Sequence, residues 1–132
     1  AYFEEALALR SELEQTYYLV EDQAGLAQAA LARGAPEEAR AALEEVLIVL
    51  ENDPDLPGAE RPMNVHLIAV QGLQALDDNR AGQVLDQAYH LLQERAAQIT
   101  EQTIRDSFLR NVPAHQEILL QYEKRHGGNS GT

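Results

Sequence analysis

The chain has no cysteine. This excludes disulfide staples, thiolate metal sites and a cysteine nucleophile, and it fits a reducing, cytoplasmic setting. Basic residues are scarce, with 10 Lys and Arg against 22 Asp and Glu and a net charge of −12. A field of that sign disfavours direct contact with a nucleic-acid backbone or an anionic membrane face. Arg10, Arg33, Arg40, Arg61, Arg80 and Arg95 are scattered and form no stripe with interleaved aromatic residues. No apolar run approaches the roughly 20 residues of a membrane span. The opening "AYFEEALALR" has acidic side chains where a secretion signal carries basic ones. It also enters helical patterning at once without an initiator methionine, which predicts a fragment of something longer.

What is present is helix. At 132 residues and 45% hydrophobic, the chain suits one domain able to bury a core. Apolar residues recur with a period near 3.6, and no segment alternates as a strand does. A first helix is predicted over 1–16, with Phe3, Ala6, Leu7, Leu9 and Leu13 as its core candidates. A second covers 19–33, and Gly34 supplies a terminating position that tolerates positive φ. Pro36 suits the first turn of a third helix, with Glu37 and Glu38 beside the positive end of its dipole. That helix carries Ala39, Ala42, Leu43, Val46, Leu47 and Leu50 on one stripe. Two helices of about 15 residues with so short a link must run antiparallel, giving a hairpin over 19–51.

"NDPDLPGAERP", residues 52–62, is a longer loop with Pro62 opening the next helix. A second hairpin is predicted over 62–110, its second helix long and running past Ile99 towards Phe108 and Leu109. Val112-Pro113 interrupts it, a capping helix follows over 114–124, and 125–132 reads as a flexible tail. The organisation is all-α, about six helices in one domain over 1–124.

Superposing "YFEEALAL", "RAALEEVLIV" and "GQVLDQAYHLL" aligns Ala6 with Val46 and Tyr89, 40 and 43 residues apart. Periods of that size, built from helical pairs, are the mark of a solenoid. The alanines of "LARGAPEEARAALEEVLIVL" then have a packing use. Ala27 and Ala30 facing Ala39 and Leu43 would let antiparallel backbones approach towards the close end of the usual 8–10 Å.

These residues resemble a tetratricopeptide-repeat array, of the longer-period kind in the C-terminal sensor regions of bacterial signal-transducing ATPases and of regulators similar to the maltose-regulon activator. Leu26, Ala27 and Ala30 match its first-helix positions, Gly34 the turn glycine, Ala39, Leu43 and Val46 the second helix. The next unit fits less closely: Ala69, Val70 and Leu73 match the first helix and Leu85 is a further repeat-packing residue, while Asp77 stands at the turn glycine, Gly82 at the alanine and Tyr89 at the usual small residue. "SFLRNVPAHQEILLQY" is similar to the closing segment of such arrays. The resemblance implies antiparallel hairpins stacked as a short solenoid, and a protein- or peptide-binding segment of a larger bacterial regulatory or signalling protein. It also implies, as an alternative, a small-molecule-sensing domain of a transcriptional regulator. A further alternative is a structural or self-associating module, because an array cut at its first helix exposes Phe3, Leu7 and Leu9 and would dimerise through exposed terminal helices.

Nothing in the sequence assembles a reaction centre. His66, His90, His115 and His126 show no i,i+4 pairing of a metal site. Adjacent carboxylates such as Glu44 and Glu45 diverge by about 100° on a helix and do not converge on a substrate. The expectation is therefore no catalytic residue, no metal and no cofactor. In stacked helical pairs the first helices line the inner surface. That makes Tyr18, Gln23, Gln28, Asn64, His66, Gln71 and Gln74 the candidate partner-binding face.

Overall fold

The computed structural model describes residues 19–56 and 61–126. The predicted helix over 1–16 and Tyr18 lie outside them. Every regular element among the described residues is helical: α1 over 19–32, α2 Pro36–Asn52, α3 Pro62–Ala75, α4 Ala81–Ala97, α5 Gln102–Arg110 and α6 Pro113–His126.

The short turns α1–α2 and α3–α4 are closed in the same way. The amide of Gly34 donates to Leu31 O at 3.1 Å and that of Ala35 to Ala30 O at 2.8 Å. Forty-three residues on, Asp77 N donates to Gln74 O at 3.1 Å and Asp78 N to Leu73 O at 2.8 Å. This is the paired hydrogen-bond pattern of a Schellman cap, and it requires a left-handed residue. Gly34 has φ 75° and Asp77 has φ 56°. Aspartate thus performs the glycine's task at the second turn.

The α1–α2 pair packs through small residues. Ala27 is fully buried and clusters with Ala42 and Leu43, while Val20 and Ala24 join a cluster with Val46, Leu47 and Leu50. Early residues of α1 meet late residues of α2, so the two run antiparallel. Ala30 and Ala39 are buried as well. Leu26 does not belong to this seam. It is 58% exposed, because it shares a helix face with Leu19 and Gln23 that turns away from α2's buried stripe.

The central helix is α3, which packs against α2, α4 and α6. A helix covered on three sides has no polar face to keep, and Met63, Val65, Leu67, Ile68, Ala69, Val70 and Leu73 are all buried. Gly72 marks a close approach to α2, since a Cβ there would stand 2.7 Å from Leu43 Cδ1. Leu85 and the half-buried Tyr89 of α4 and Ile118 of α6 close the other sides.

The long second helix expected for the 62–110 hairpin is broken. α4 stops at Ala97, and α5 starts at Gln102 after Glu101 adopts an extended backbone with ψ 123°. The β-branched pair Ile99-Thr100 falls at the break, and the Arg105 Nε–H donates to Ile99 O at 3.0 Å, tying the corner. Continuous apolar spacing hid this turn, because a bend of a few residues leaves the same faces directed at the core. The expected tail also changes: Arg125 and His126 are the last residues of α6, both bonded to Asp86 of α4 at 3.2 and 2.7 Å. The rest of it, 127–132, lies outside the described residues.

Candidate functional site

The side chains expected to form one partner-binding face separate in the structure. His66 leaves it altogether, being fully buried on α3. Its Nε2–H donates to Pro54 O at 2.8 Å, so it serves the α2–α3 loop and not a surface. Burial depresses its pKa below the ordinary histidine value, against the opposing effect of the Pro54 bond. Gln28 and Gln71 are exposed, and Asn64 is half-buried. Asn64 borders a cavity of about 440 Å³ with Arg61, Met63 and Pro113.

Gln74 borders a groove in which it is itself hydrogen-bonded across to another helix. It stands on the last turn of α3 beside a groove of about 500 Å³ between α4 and α6. Gln74 Nε2 donates to Gln121 Oε1 at 2.8 Å, and Gln121 Nε2 donates to Glu117 Oε1 at 3.0 Å. Lys124 and Arg125 complete that wall, with Ala81, Gly82 and Leu85 as the floor. Gly82 permits the arrangement, because a Cβ at that position would lie 2.6 Å from Arg125 Cζ. The guanidinium therefore lies over the first turn of α4, held by Asp86. Burial pushes the Asp86 pKa up, but the bonds from His126 and Arg125 outweigh it and hold the carboxyl below its usual range. The result is a trough with amide side chains along its length and two cations at one end, in a chain that is otherwise strongly acidic.

On the other side of α6 the Tyr89 and Tyr122 rings stack with centroids 3.6 Å apart and planes 4° from parallel, and His126 tilts against Tyr122 at 4.3 Å. Tyr89 is thus more than a repeat-packing residue, since it locks α6 to α4 beside the trough. The floor end is fixed from α2. Arg80 donates from its two terminal nitrogens to Glu44 at 3.2 and 2.6 Å, and from Nε to Asp78 Oδ1 at 3.0 Å. Asp78 also accepts from the Arg80 amide at 2.9 Å. Bonding to the Arg80 side chain, then to its amide, holds the Asp78 carboxyl far below the ordinary range.

A second groove, of about 450 Å³, runs between α1 and α2 and is bordered by Gln23, Leu26, Ala30, Arg33 and Glu45. Leu19, Leu26 and Ile48 are 55%, 58% and 52% exposed, and helical spacing puts Ile48 on the same side of α2 as Ala41 and Glu45. This is an amphipathic strip with its apolar side open.

The residues that sequence reasoning missed are Glu117, Gln121, Lys124 and Arg125. Their spacing of four, three and one on α6 makes a polar stripe that the sequence does display. Only the docking of α6 beside Gln74 gives the stripe significance. Among the described residues, no group of three or more His, Asp or Glu side chains could hold a metal ion, and no helix is long and apolar enough to cross a membrane. Comparison with protein-family models, curated proteins and solved structures finds no match to this chain.

Proposed function

We propose that this chain is a non-catalytic, tetratricopeptide-like helical segment that binds a protein or peptide, as part of a larger bacterial regulatory or signalling protein. The observation that carries the reading is the α3–α4–α6 trough. Side-chain amides both donate and accept, so Gln74 and Gln121 suit the alternating C=O and N–H groups of a peptide backbone. Lys124 and Arg125 would receive an acidic side chain or a terminal carboxylate. The two matching turns at Gly34 and Asp77 support the repeat reading.

Selection of displayed peptides on the folded chain, followed by titration calorimetry, tests the assignment. Gln74→Ala with Gln121→Ala, and Lys124→Ala separately, should each weaken the selected peptides by about tenfold or more, the effect of roughly one to two lost polar contacts. Gln28→Ala, on an exposed position of α1, should leave affinity unchanged. Peptides indifferent to all of the trough variants would remove the site.

Self-association is the second reading, and the open strip formed by Leu19, Leu26 and Ile48 favours it. An apolar strip of that kind is a common dimer surface.

A further inference from the structure

The only buried side-chain polar atom without a hydrogen-bond partner among the described residues is Nδ1 of His66. Its position follows from the chemistry of the other ring nitrogen. Pro54 offers a carbonyl oxygen, which can only accept, so the ring hydrogen must sit on Nε2 for the 2.8 Å contact to be a hydrogen bond. Nδ1 is then a bare acceptor, buried with the rest of the ring and without a partner among the described residues. An unpaired neutral acceptor is tolerated there, but an unpaired N⁺–H at the same point would be a buried charge with nothing to receive it.

The bond that His66 makes is part of a small clamp on the α2–α3 loop. His66 from α3 holds Pro54 O, and Arg95 from α4 holds Asp55 O at 2.6 Å. The next residue, Leu56, is 1% exposed and has φ 47°, an unfavourable conformation for a leucine that the packing must hold. Its amide donates to Asp53 O at 3.2 Å. Among the described residues, the charged groups that act on His66 are Arg95 of α4, which opposes a positive imidazole, and Asp55 of the loop, which favours one. The residues on either side of His66 in the chain, Val65 and Leu67, belong to the main core cluster, to which α2 adds Leu47 and Leu50 and α6 adds Ile118. The imidazole is thus neutral by construction, and the loop between α2 and α3 depends on that neutrality.

We propose that His66 is an acid-sensitive latch: while neutral it pins the α2–α3 loop through Pro54, and on taking a proton at Nδ1 it leaves its buried position and frees residues 53–56. Released, Leu56 gives up its left-handed backbone, and α1 and α2 lose one tie to α3. The sign is fixed by linkage. The released histidine has the ordinary pKa of about 6.5 and the latched one is lower, so the latch is at full strength above that pH. It weakens as pH falls from there towards the depressed value. Each unit of pH in that window should raise the opening equilibrium by up to about tenfold, for uptake of one proton.

The test uses the full chain and two readings. Amide hydrogen exchange, corrected for the intrinsic pH dependence, is followed at Leu56 and at Ala35 between pH 7.5 and 5. Opening at Leu56 should rise steeply below about pH 6.5 while Ala35, in the α1–α2 turn, stays protected. Long-range nitrogen–proton NMR of the imidazoles should show His66 with its hydrogen on Nε2 at neutral pH. Leu56 protection that does not change with pH, or Leu56 and Ala35 opening together, overturns the proposal. So does a His66 ring that becomes charged with Leu56 still protected. His66→Gln supplies a donor for Pro54 O and cannot take the proton, so its Leu56 opening should be flat across the range; acid sensitivity equal to wild type also overturns the latch. Should that variant not fold, the wild-type readings decide alone.

Discussion

At Gly34 and Asp77 the same backbone conformation is filled by different residues, and this isolates the cost of a left-handed turn. Apart from its chain neighbours, nothing lies within 4 Å of a Cβ built on Gly34, so substitution there meets backbone strain and no steric clash. Gly34→Ala should destabilise the fold by about 1–2 kcal/mol, the usual penalty for an L-residue in that region. Asp77→Gly should do the reverse, by a smaller amount of about 0.5–1 kcal/mol, because aspartate tolerates the conformation better than alanine and glycine loses more chain entropy. Urea denaturation of the two variants measures both, and equal signs would show that the turns are not equivalent. Asp77 was readable as a departure from a glycine position. That it adopts the glycine's conformation was not, since φ is set by the helix ends on either side.

At the scale of the helix, α2 presents alanines on two faces with opposite consequences. Ala39 is wholly buried, while Ala41, two positions on, is exposed beside the α1–α2 groove. Ala39→Leu should overpack the interior and cost about 1–3 kcal/mol. Ala41→Leu should stay within about 0.5 kcal/mol of wild type. Thermal melts of the pair separate the packing role of the alanines from their helix propensity, which the two sites share. The stripe of Ala39, Ala42, Leu43, Val46, Leu47 and Leu50 was legible because a helix with one covered side must repeat its apolar residues at 3.6. The same logic fails where that condition fails. α3 is covered on three sides, so His66 sits among apolar residues at a position the pattern assigned to a surface. α4 and α5 bend between regular stripes, and Ile99 looked like a continuation.

Among the described helices, α3 joins the α1–α2 pair to α4 and α6, with the exposed α1–α2 strip on one side and the trough on the other. The two surfaces make separable claims. Sedimentation at rising protein concentration should reveal any self-association, and Leu26→Lys should abolish it by setting a charge on the strip. Peptide binding in the trough should survive that change. Association unaffected by Leu26→Lys would place the contact elsewhere.

Local sequence was enough to show that the described chain is helical, where most helices begin, and which residues form the buried stripe of α2. Those properties follow from local propensity, capping and periodicity, all of which act within a few residues. It took the packing of the helices to show that Gln74 meets Gln121, that His66 bonds to Pro54, and that Leu26 stays outside the seam. Each depends on how helices distant in sequence are placed against one another, and a 3.6-residue period records which side of a helix is covered but not by what.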